Sequence, residues 1–94
     1  MTEDAAGCQL TVAIVNKRGL HARAAARFVA LAEGFDAEIT VSTGGTTVSG
    51  RSIMGLMTLA AGTGTEIEIA ATGPQAEAAV ARLSAFVEAG FDEE

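Results

Sequence analysis

Three short segments of this chain alternate apolar and polar residues with a period of two. Leu10, Val12 and Ile14 flank Thr11 and Ala13; Ile39 and Val41 lie among Glu38, Thr40 and Ser42; Ile67 and Ile69 lie among Glu66 and Glu68. Successive side chains of a strand point to opposite faces, so this period predicts strands with one buried and one wet face. A parallel sheet is covered on both faces and reads as continuous apolar runs, so the alternation predicts an antiparallel sheet open to water on one side. Gly44-Gly45 adds a tight hairpin into a short fourth strand, Thr46 to Ser49.

Helical periodicity fills the intervals, over Ala22 to Glu33, Ser52 to Leu59 and Pro74 to Ala89. Ala25, Phe28, Val29 and Ala32 form one apolar stripe, and Ala76, Ala79, Val80, Leu83 and Val87 another. Pro74 suits a first helical turn, where its missing N–H has no partner to lose. Gly34-Phe35 and Gly90-Phe91 follow the first and last helices, and both predict a left-handed glycine cap with the phenylalanine folded back. The expected order is β-α-β-β-α-β-α: an α+β open-faced β-sandwich, a four-stranded antiparallel sheet with three helices on one face. With 94 residues the chain fits one domain, its ordered core expected from about 9 to 90 between short acidic ends.

Six basic and twelve acidic residues give a net charge of -6, which argues against nucleic acid as a partner. No apolar run approaches the roughly 20 residues of a membrane span, and no basic-then-apolar signal segment opens the chain, so a cytoplasmic protein is expected. The lone Cys8 forms no intrachain disulfide, and one cysteine with one histidine excludes metal sites built from several such ligands. Lys17, Arg18, Arg23, Arg27 and Arg51 are five of the six cations, and no acidic residue occurs from Cys8 to Ala32. A basic patch on an acidic protein suits an anionic group or an acidic partner; a solvated helix face is the alternative.

His21, the single histidine, stands directly before the first helical stripe, and Gly19 lets the chain turn sharply ahead of it. The first backbone N–H groups of a helix, here those of residues such as Ala22 and Arg23, have no partner inside it and form an anion site. Arg23 lies within reach of the same space, and its planar fork can hold phosphate oxygens. A neutral imidazole nitrogen with such donors describes a covalent phosphoryl acceptor. The other reading is that His21 caps the helix and Arg23 is solvated.

The run GLHARAAARF, together with GRSIMGLMTLAAGTG from Gly50 to Gly64, resembles HPr, the histidine-containing phosphocarrier family of the bacterial phosphoenolpyruvate-dependent phosphotransferase system. The resemblance covers about Leu10 to Val87 and shares the element order above. It implies that His21 takes a phosphoryl group from phosphorylated enzyme I and passes it to an enzyme IIA-type protein. Arg23 would assist, in a monomeric carrier that is not itself an enzyme and needs no metal or organic cofactor. Ala24 departs from the family pattern, which has proline there; alanine restores one N–H at the first helical turn.

Ser52 occupies a good N-cap position before the second helix, and capping is its structural reading. The resemblance adds a second reading, because serine in this motif is phosphorylated by HPr kinase/phosphorylase in many relatives. That modification would put up to two negative charges at a helix start and slow transfer to His21. Leu56, Leu59 and Ala60 can line the core side of this helix, which leaves Ile53, Met54 and Met57 as extra core or as a docking patch. As a docking patch, it would be rimmed by Arg23, Arg27 and Arg51, and association would be salt-sensitive.

Two readings from other classes compete with the carrier. A regulatory binding module of the same fold, working through phospho-Ser52, would not need the nucleophile. A small phosphatase lacks a second histidine, a nearby cysteine or a carboxylate pair to activate water. Sugar uptake and nitrogen-related regulation use similar carriers, and their partner proteins decide between them.

Overall fold

The structure, a computed structural model, describes residues 7–92. Its strands are β1 (Cys8–Ala13), β2 (Glu38–Thr43), β3 (Thr46–Ser49) and β4 (Glu66–Thr72). The helices are α1 (Ala22–Ala32), α2 (Ile53–Thr58) and α3 (Ala76–Glu88), and a closing turn spans Gly90–Asp92. All strand pairings are antiparallel in the order β1-β4-β2-β3. The first and last strands are neighbours, with β1 at one edge of the sheet, and the expected α+β open-faced sandwich is what forms.

The register follows the alternation. Val12 pairs with Ile67 and Val41 with Ile69, and all four side chains are buried. On the opposite face Thr11 and Ser42 both flank Glu68, which keeps that face wet and negative. The hairpin turns through Gly44 and Gly45, both at positive φ (57° and 84°), the backbone that a two-residue loop requires. The stripes of α1 and α3 are buried as expected, with Ala24 and Phe86 added to them.

Four local expectations fail, each for a packing reason. Leu10 is 48 % exposed, because β1 is an edge strand whose outer end only the start of α3 approaches, at Glu77, Val80 and Ala81. Pro74 lies ahead of α3, in a turn before the N-cap Gln75. Gly34 does not take the left-handed conformation that Gly90 takes (φ 71°). Instead, the N–H groups of Gly34 and Phe35 close a tightened turn on Leu31 O and Ala32 O, both at 3.1 Å. Arg51 then donates to Phe35 O at 2.7 Å and to Ala32 O at 3.5 Å. A cation at the carbonyl end of α1 thus replaces the glycine cap. Phe91 is fully buried against Phe86 in a T-shaped ring pair. Residues 1–6 and 93–94 lie outside the described residues.

Ala60 is the fourth correction: it is exposed, and Ala61 faces the core in its place. It follows the C-cap Leu59 and carries a φ of 52°, a left-handed conformation that costs an L-residue about 1–2 kcal/mol. Ala60→Gly is expected to stabilise the domain by about 0.5–1 kcal/mol after the added unfolded-state entropy is subtracted, raising Tm by about 3–5 °C. A lower Tm in a thermal melt would show that the cap is unstrained.

Candidate functional site

The site is assembled by two backbone segments that lie far apart in the sequence. The N–H of Ile14 donates to Thr65 O at 2.9 Å and the N–H of Gly64 to Ile14 O at 2.8 Å, carrying the β1–β4 pairing past the strand ends. The chain then turns through residues 15–19 and is recaptured where the N–H of Leu20 donates to Ala61 O at 2.9 Å. Gly19 makes this contact possible. Its φ is 67°, and a Cβ there would lie 2.4 Å from Ala61 O. Leu20 is buried, and the next residue, His21, stands half-buried as the N-cap of α1.

His21 Nδ1 points along the start of the helix. The N–H of Arg23 donates to it at 3.2 Å, and the N–H of Ala24 faces it at 3.5 Å. A ring nitrogen that accepts from N–H groups carries no proton, so the neutral tautomer holds its proton on Nε2. His21 therefore caps the helix, and the lone pair that caps it is the lone pair a phosphoryl acceptor needs. The two readings of this residue are one arrangement. Of the amides expected to bind phosphate, Ala22 and Arg23, that of Arg23 lies at Nδ1, and the Ala24 amide lies beside it. The restored N–H of Ala24 is thus turned toward the ring, while its side chain is fully buried. The Arg23 side chain is exposed in the first turn of α1.

Helix α2 ends at the loop that holds Leu20, while Arg51, just before its start, reaches the far end of α1. Ser52 and His21 therefore sit at opposite ends of α2. Ser52 caps α2, accepting from the N–H of Gly55 at 2.9 Å. Between them Ile53, Met54 and Met57 are 39 %, 73 % and 41 % exposed, which removes the reading of these residues as extra core. Only Leu56 of α2 is fully buried. Two of the three rim arginines also brace the fold: Arg27 donates to Phe91 O at 3.1 Å, and Arg51 binds the end of α1 as above.

A family model described as the PTS HPr component phosphorylation site matches residues 8–89. The chain belongs to the PTS HPr family. It is 44 % identical over 85 residues to the phosphocarrier protein NPr of Escherichia coli K12, a match covering 89 % of this chain and 94 % of that one. Identity to the phosphocarrier protein HPr of Vibrio cholerae is 46 % over 77 residues, covering 82 % and 91 %. A crystal structure of HPr from Bacillus anthracis superimposes with a TM-score of 0.83 at 46 % identity, covering 86 % of this chain and 96 % of that one. As an HPr-family protein the chain is a phosphoryl carrier of the phosphotransferase system and not an enzyme. None of its described helices is long and apolar enough to cross a membrane.

Sequence reasoning did not single out Asn16 or Thr63 at this site. Both act on main-chain carbonyls, and they are 47 residues apart. No periodicity announces such a contact.

Proposed function

We propose that His21 carries the phosphoryl group, on Nδ1, between phosphorylated enzyme I and an enzyme IIA-type protein in the cytoplasm. The observation that carries this reading is the direction of the Nδ1 lone pair, toward the Arg23 and Ala24 amides at the start of α1. As the N–P bond of a donor phosphohistidine breaks, an Nδ1–P bond forms on His21. The PO3 unit moves, and each ring keeps the proton on its other nitrogen. The amides of Arg23 and Ala24 then exchange the ring nitrogen for phosphoryl oxygens, with Arg23 supplying a charged fork. Ile53, Met54 and Met57 form the docking surface for both partners, which the chain meets as a monomer. A binding module acting through Ser52 alone would use this imidazole only as a helix cap.

The test is incubation of the chain with phosphoenolpyruvate and enzyme I, followed by intact mass. One acid-labile, base-stable phosphate, dependent on enzyme I, is expected. No uptake from enzyme I overturns the carrier reading.

Phosphorylation of Ser52 by an HPr kinase/phosphorylase is proposed as the regulation. Its Oγ already accepts at the start of α2, a position that tolerates negative charge. It also borders Ile53 and Met54, so a phosphate there meets an incoming phosphorylated partner with like charge, without touching His21. Ser52→Asp is expected to slow uptake from enzyme I by roughly tenfold, about 1.4 kcal/mol of lost complementarity. Initial rates equal to the parent's would refute the inhibitory role.

A further inference from the structure

We infer that Thr63 and Asn16 are positioning residues for His21, acting through the turn that joins β1 to α1; the inference rests on His21 being the phosphoryl acceptor. Within that turn, residues 15–19 leave the β1–β4 ladder, and Val15, Lys17 and Arg18 are exposed. Its shape is held from inside by Asn16, which is 9 % exposed and donates from Nδ2 to Gly19 O at 2.9 Å. The N–H of Gly19 returns to Asn16 O at 3.3 Å. From outside, the Thr63 hydroxyl donates to Asn16 O, with Lys17 O at 3.1 Å on its second side.

The two side chains thus form a relay. Thr63 fixes the carbonyl of Asn16, and Asn16 fixes the carbonyl of Gly19. Two residues on, His21 presents Nδ1 to the helix start. Thr63 belongs to the same loop as Ala61, whose carbonyl holds Leu20, so both ends of the turn are tied to one segment. A hydroxyl is suited to this because it reaches a carbonyl without adding charge beside Lys17 and Arg18. When phosphorus bonds to Nδ1 the ring must exchange its amide contacts for a covalent bond. A turn held at both ends keeps the ring within attacking distance during that exchange, and small misplacements of a reacting group cost rate steeply.

The test compares the full-length parent, Thr63→Val and Thr63→Ser for phosphoryl uptake from saturating enzyme I, well below their melting temperatures. Valine keeps the shape and loses the donor; serine keeps the donor. Thr63→Val is expected to lower the maximal uptake rate by roughly tenfold with little change in the enzyme I concentration that gives half of it, while Thr63→Ser stays within about twofold of the parent. The His21 ring 15N resonances are expected to shift in Thr63→Val and to return in Thr63→Ser. Asn16→Ala is expected to reproduce the valine result, and Thr63→Ala replaces valine if that variant does not fold. A Thr63→Val protein with a lower Tm but parental uptake and parental ring shifts would reduce the contact to a structural one and overturn the inference. A parent that enzyme I does not label overturns the carrier reading itself, and this inference with it.

Discussion

His21→Asn is expected to abolish phosphoryl uptake while leaving the melting temperature close to the parent's, whereas His21→Ala abolishes uptake and also destabilises the domain by about 1 kcal/mol. The difference follows from the double duty proposed for Nδ1, which caps α1 through the N–H of Arg23 and, in the carrier reading, offers the lone pair that attacks phosphorus. Asparagine is a strong N-cap residue and has no nucleophilic nitrogen, so it retains the first duty and loses the second. Alanine retains neither. Intact-mass labelling with enzyme I reads the chemistry, and a thermal melt reads the cap. Residual labelling of His21→Asn would place the acceptor elsewhere. Equal melting temperatures for all three proteins would mean that the cap contributes nothing and that Nδ1 is held for chemistry alone.

Gly19→Ala is expected to cost about 2–5 kcal/mol. The estimate sums about 1–2 kcal/mol for an L-residue at positive φ and about 1–3 kcal/mol for overpacking against a backbone that cannot yield. The added methyl would meet Ala61 O at 2.4 Å and Gly62 Cα at 2.8 Å. Relief requires the turn to retreat from the 61–64 loop, which breaks the bond from the N–H of Leu20 to Ala61 O. Since small domains have about 5–15 kcal/mol in total, the variant folds but is markedly weakened. Its phosphoryl uptake is expected to fall because His21 moves with Leu20. Gly44→Ala is the matched control: it has positive φ with nothing within 4 Å of the added carbon, so only the conformational term of about 1–2 kcal/mol remains. Urea denaturation of the two variants separates strain from collision. Equal losses would remove the close approach of the two loops as an explanation for Gly19.

The charge distribution gives the salt dependence its direction. Glu68 and its neighbours occupy the open sheet face, while Arg23, Arg27 and Arg51 surround the helices that carry His21 and the exposed methionines. Association through the proposed docking face is therefore expected to be favoured at low ionic strength.

The period-two segments and the helical stripes were legible in the sequence because each depends on a local rule: alternate side chains share a sheet face, and every third or fourth residue shares a helix face. The antiparallel sheet, the hairpin at Gly44-Gly45, the caps at His21 and Ser52, and the stripe of Phe28, Val29 and Ala32 all follow from such rules. The places where local reading failed are those where a distant segment decides. At Gly34 no left-handed cap forms, and Arg51 arrives from across the fold to bind Ala32 O and Phe35 O at the end of α1. Leu10 stayed exposed because a strand's inward face is buried only where a helix lies above it. The proposed chemistry of His21 draws on its neighbours in sequence, Gly19, Ala22 and Arg23. The Thr63 and Asn16 contacts that hold its turn were not legible there, since a hydrogen bond to a main-chain carbonyl leaves no mark on the residue that accepts it. Only the tertiary structure brings the 61–64 loop against that turn.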